Sequence, residues 1–362
     1  MRTAMRYLLV GSLFLTLGVA RLAAQETPPA TPQAGSIESL QAKGVLSDED
    51  TTALRTWIAQ RFQTLTADNP AAANTAFAEL RNSRIGTPAF IQAYTSACIQ
   101  AAGSAYGNAE RDAATRMLVL LDTFKELDAY PILVQALGDA RVPVRAAAAI
   151  GLRNLQTKIA GASGNIFNEV IAALREAGKK EESAVVLKLI YEALNFERAP
   201  DARALADAVT NLLAARGDQY GGSEVKAVAA DQPGLALAER LAAQSDDDGR
   251  RRLAIAAAKM LRYAVSYYTT ELHKIDNKTS SPVQVQLRDR VELFIESAEK
   301  LLRTLLKPQD GPDVTQALQK SIQAEKPVNM KIAMNRWADL IQQTYQTDVH
   351  LEATEDEPGT EP

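Results

Sequence analysis

The sequence predicts an all-α fold, an α-solenoid of helical pairs followed by a C-terminal helical hairpin or bundle. Three observations carry that expectation. Alanine and leucine dominate the chain, and runs of alternating Val, Ile and Thr that would mark strands are missing. Helix-start residues recur at short intervals. Two apolar stripes near the C-terminal end step by three and four residues.

The elements follow in order. Residues 1–24 read as a secretory leader: Arg2 and Arg6 are basic, Tyr7 to Val19 is apolar, and Ala20, Ala23 and Ala24 are small. The apolar run is shorter than the roughly 20 residues a membrane span takes. Cleavage is expected after Ala24, with Ala20 the alternative, and the product is expected to be periplasmic or extracellular without stable membrane insertion. Residues 25–35 form a proline-rich linker that cannot be helical.

A helical-repeat domain is expected over 36–216. Ser36 to Asp50 reads as a short helix, a break at Gly44 and the start of a second helix. Ser47 opens the helix through Thr66, Asn69-Pro70 opens the next through Leu80, and Thr87-Pro88 opens one through Ala102. Gly107-Asn108 leads into Ala109 to Phe124. Tyr130 to Ile159 then holds a short helix, a tight turn at Asp139 and an alanine-rich helix from Val144. Leu137, Leu174 and Leu213 recur thirty-seven and thirty-nine residues apart, a period near forty.

Leu137, Asp139, Val144, Arg145, Ala147, Ala148 and Leu152 together resemble a HEAT repeat. The resemblance extends with weaker matches from about Ala109 to Arg216. It implies lateral stacking, with Asp139 and Arg145 in a polar ladder between units. The acid suits the start of the second helix and the arginine suits a bridge to the next turn. Glu176 keeps the acid in the following unit, where Glu182 or Ser183 stands in place of the arginine. The resemblance names no activity.

Residues 217–247 are read as a loop-rich connector, with Gly217 ending the preceding helix rather than serving an Arg-Gly-Asp adhesion tripeptide. A helical hairpin or bundle is expected over 248–346. Its second stripe is Leu287, Val291, Phe294, Ala298, Leu301 and Leu305. Such a stripe either packs within the chain or forms a self-association seam that makes a homo-oligomer. Residues 347–362 hold six acids and no Lys or Arg, and read as a disordered acidic tail.

Chemistry leaves few marks. Without the leader's three arginines the basic count falls from 40 to 37 against 44 acids, so nucleic acid is not the expected partner. Cys98 is the sole cysteine, in an apolar helical context, and is expected to be buried and inert. His273 is expected to cap a helix end, and His350 to lie unheld in the tail. Aligning Gly249 of Asp246-Asp-Asp-Gly249 with the glycine of a calcium loop puts Gln244 and Ile255 at its ends, so the acids read instead as a helix start. Asn277-Lys-Thr279 is a sequon and is expected to lie in an exposed loop. Neither catalytic, cofactor-binding nor metal-binding residues are nominated. The expected role is non-enzymatic protein–protein interaction or scaffolding. The alternatives are a self-assembling envelope protein using the 287–305 seam, and an enzyme acting on envelope polymers.

Overall fold

The computed structural model describes residues 37–220, 229–275, 280–307, 313–318 and 328–350. The predicted leader and linker, the sequon and most of the acidic tail lie outside the described residues. Within them the chain is all-α, and no strand occurs among the described residues.

Local caps set the helix starts. In α2 (Asp48–Thr66), Ser47 accepts from the Asp50 N–H while Asp50 reaches back to the Ser47 N–H, a reciprocal capping box. Asn69 caps α3 (Pro70–Asn82) and Thr87 caps α4 (Pro88–Tyr106), each with proline in the first turn. The short α1 (Ile37–Gln41) lies against α2 and α4. Then come α5 (Arg111–Phe124), α6 (Tyr130–Ala136), α7 (Val142–Asn154), α8 (Gln156–Gly161), α9 (Gly164–Lys180) and α10 (Ala184–Leu194). The chain continues through α11 (Ala202–Gln219), α12 (Gln232–Leu241), α13 (Asp247–Tyr267), α14 (Pro282–Leu306) and a last helix, α15 (Val328–Tyr345).

These helices form two rows. In one row α2 packs on α4, α6 on α9, α9 on α11, α11 on α13 and α13 on α15. In the other α3 packs on α5, α5 on α7, α7 on α10, α10 on α12 and α12 on α14. Six pairs also touch across the rows: α2 with α3, α4 with α5, α6 with α7, α9 with α10, α11 with α12, and α13 with α14. One core runs between the rows from Leu54 and Phe90 through Leu133, Ile190 and Leu212 to Phe294 and Trp337.

In the stretch 217–247, of which 221–228 lie outside the described residues, the described part is mostly helical. It holds the end of α11, all of α12 and the start of α13, and α12 touches α10, α11 and α14. Gly217 and Gly234 mislead because they serve close packing. A Cβ at Gly217 would lie 2.9 Å from Cα of Ala256 on α13, and one at Gly234 would lie 2.4 Å from the Tyr191 ring. Gly217 therefore sits within α11 and does not end it, and Arg216 beside it is buried rather than displayed. Among the described residues α13 packs on α11 as well as on α14.

Of the two readings of the apolar stripe, packing within the chain is the one its burial supports. Val291, Phe294, Leu301 and Leu305 are buried, and Leu287 packs half-buried against the same core. The face that could have formed a seam is covered by the chain's own helices. Residues 347–350, assigned to the tail, are also part of the fold, because Val349 is fully buried.

Candidate functional site

One series of polar contacts runs along the edge where each pair turns from its first helix to its second. The turn between α6 and α7 supplies Asp139 and Arg141. Asp139 accepts from the Arg141 N–H and side chain, at 2.6 to 2.8 Å, and from the Tyr106 hydroxyl at 2.8 Å. Arg141 also donates to the Ala109 carbonyl in the preceding turn. The Arg141 guanidinium beside Asp139 holds its carboxyl well below the usual carboxylate range.

Arg145 points the other way along the edge. It makes a two-pronged pair with Glu181 at 2.7 and 2.8 Å, and its remaining donors reach the Asp139 and Ala140 carbonyls. Glu181 is 4% exposed. Burial pushes its carboxyl up, but Arg145 and the Ser183 N–H outweigh burial, leaving it below its ordinary value. The acid of the next turn is thus Glu181. Glu176 sits on the surface of α9 and pairs with Arg175 and Lys179.

The edge continues into a fully buried cluster. Arg216 donates to the Glu181 carbonyl at 3.0 Å and makes a two-pronged pair with Asp231. Asp231 also accepts from the hydroxyls of Tyr191 at 2.5 Å and Tyr220 at 2.9 Å. Arg216 is 4% exposed and Asp231 is 0% exposed, and each is matched by hydrogen bonds within the cluster, as burial of such groups requires. Burial and the Asp231 charge push both tyrosine hydroxyls upward, which keeps them neutral donors.

Of the residues the sequence singled out, Asp139 and Arg145 both lie on this edge, but their carboxylate and guanidinium do not pair with one another. The sequence reading missed Arg141, Glu181, Arg216, Asp231, Tyr191 and Tyr220. One signal was present: Asp231-Gln232-Pro233 has the acid-and-proline form of a helix start, and α12 begins there.

Two open grooves flank the ladder. One of about 570 Å³ lies between the α6–α7 and α9–α10 turns, lined by Gln135, Asp139, Arg145, Glu176, Lys180 and Glu182 among others. The other, about 710 Å³, lies between the first two turns and includes Asn69, Glu110 and Arg116. No group of three His, Cys, Asp or Glu residues is placed to hold a metal ion among the described residues. Cys98 is buried, and burial pushes its thiol up to about 12, which leaves it protonated near neutrality. No helix among the described residues is long and apolar enough to cross a membrane. Comparison with known protein families finds none that matches the chain, and comparison with characterised proteins finds no match either.

Proposed function

We propose that this is an exported, non-enzymatic binding or scaffold protein built as a HEAT-like α-solenoid, and that its ladder edge meets a protein partner. The observation that carries the reading is the spacing of the contacts between pairs. Arg84 meets Glu126 at a separation of 42, Tyr130 meets Glu169 at 39, and Arg145 meets Glu181 at 36. Tyr191 meets Asp231 at 40, and Lys259 meets Asp218 at 41. A repeated unit near forty residues, with polar contacts joining each unit to the next, is the pattern of stacked helical pairs. Such stacks present long, rigid surfaces, and the groove between the third and fourth turns carries exposed Glu176, Lys180 and Glu182 at its rim.

Export rests on the leader-like order of residues 1–24. N-terminal sequencing of the protein recovered from its host tests it: a start at Gln25 or Arg21 supports export, and a start at Met1 or Arg2 contradicts it. The binding role is tested by retention of a partner from the host's envelope extract, compared between the wild type and Glu176→Lys/Glu182→Lys. These exposed changes should alter stability by less than about 0.5 kcal/mol. A partner held by the wild type and lost by the double variant supports the reading. Equal retention by both, or none by either, contradicts it.

A further inference from the structure

The chain does not leave the stack after α15. The Gln346 N–H closes the helix on the Gln342 carbonyl at 2.9 Å, and Gln346 itself takes a left-handed conformation with φ 54°. That reverses the backbone and carries Val349 into the core. His350 follows. Its N–H donates to Asp348 Oδ1 at 2.9 Å, and its ring Nδ1 lies 2.7 Å from the same oxygen. The other ring nitrogen, Nε2, lies 3.0 Å from Asp339 Oδ1 on α15. Carboxylates only accept hydrogen bonds. A neutral imidazole has one N–H and satisfies one of them, whereas the imidazolium satisfies both.

We propose that residues 346–350 form a proton-operated clasp that seats Val349 at the C-terminal end of the stack while His350 is charged and releases it when His350 is neutral. The charged groups around the ring fit this role. Asp339 faces it from α15 and Asp348 from its own segment. From α13, Arg262 acts on Asp348. Asp247, Arg250 and Arg251, also from α13, act on the neighbouring Tyr345. The hydrogen bonds to Asp339 and Asp348 raise the His350 pKa above its ordinary 6.5. A raised histidine contributes its full stabilisation below 6.5 and loses it as pH rises through the raised value.

The chain holds two histidines, so ring NMR signals of the full-length protein are assigned by comparison with His350→Ala. The expected result has three parts. The His350 ring titrates above 6.5. The Val349 methyl signals move from buried to solvent-exposed positions with the same midpoint. In Asp339→Asn that midpoint falls toward 6.5, and in His350→Ala Val349 is released at every pH. A ring titrating at or below 6.5 overturns the proposal, as does a Val349 that stays seated while the wild-type ring loses its proton.

Discussion

The joint between α9–α10 and α11–α12 and the joint among α13, α14 and α15 hold the same kind of helices in different ways. The first is closed by the Arg216–Asp231 pair with two tyrosine hydroxyls. The second is closed mainly by Phe294, Leu301 and Trp337, with one buried carboxylate. That carboxylate, Glu299, accepts from the indole Nε1–H of Trp337 at 2.8 Å and from the N–H groups of Val314 and Thr315. An apolar joint gains from area alone and tolerates small slips. A buried ion pair gains little net energy against an apolar equivalent but is strict about geometry. The polar joint therefore fixes which turn sits beside which, while the apolar joint supplies cohesion.

The largest effects separate these roles. Asp231→Ala leaves Arg216 charged and unmatched in the core and should cost about 3–5 kcal/mol in denaturant unfolding. Leu301→Ala removes packing alone and should cost about 2–5 kcal/mol. The distinguishing result is rescue. Replacing Asp231 by Leu together with Arg216→Met, Tyr191→Phe and Tyr220→Phe should recover most of the stability lost in Asp231→Ala, because no buried charge is then left unmatched. Failure of that rescue breaks the comparison.

A smaller effect probes the contact that links the two joints. Gly217→Ala places a methyl 2.9 Å from Ala256 between α11 and α13, so overpacking should cost about 1–3 kcal/mol. A neutral result would mean that these helices do not approach closely.

The mildest perturbation is acid. Asp139 and Glu181 both sit below their ordinary values of 3.8 and 4.5. Their contribution is whole above those values and is lost as pH falls through the lowered ones. Stability measured by denaturant should decline below about pH 4.5, and less steeply in Glu181→Gln. An equal decline in the variant removes Glu181 from the account.

What the sequence revealed follows the range of the interactions. Ser47, Asn69-Pro70 and Thr87-Pro88 were legible as helix starts because a cap acts within three or four residues. Asp139 and Arg145 were legible as a pattern, though not their partners Tyr106 and Glu181, which lie on neighbouring turns. Arg216 and Asp231 were hidden because Gly217 and Gly234 gave their surroundings the composition of a loop, while the Ala256 backbone and Tyr191 ring that require those glycines lie about forty residues away in sequence. His350 was misread for a similar reason. Its tail is acidic, and the left-handed turn at Gln346 that brings the ring back to Asp339 leaves no mark in composition.

The central claim is that helical pairs lie side by side in chain order from α2 to α15. Zero-length carbodiimide coupling of the folded protein, read by mass spectrometry, tests it most directly. The account predicts links between neighbouring pairs, including Lys158 with Glu126 and Lys259 with Asp218, which are both 2.7 Å apart. Intramolecular links that join lysines or acids of α2–α4 to those of α13–α15 would contradict it.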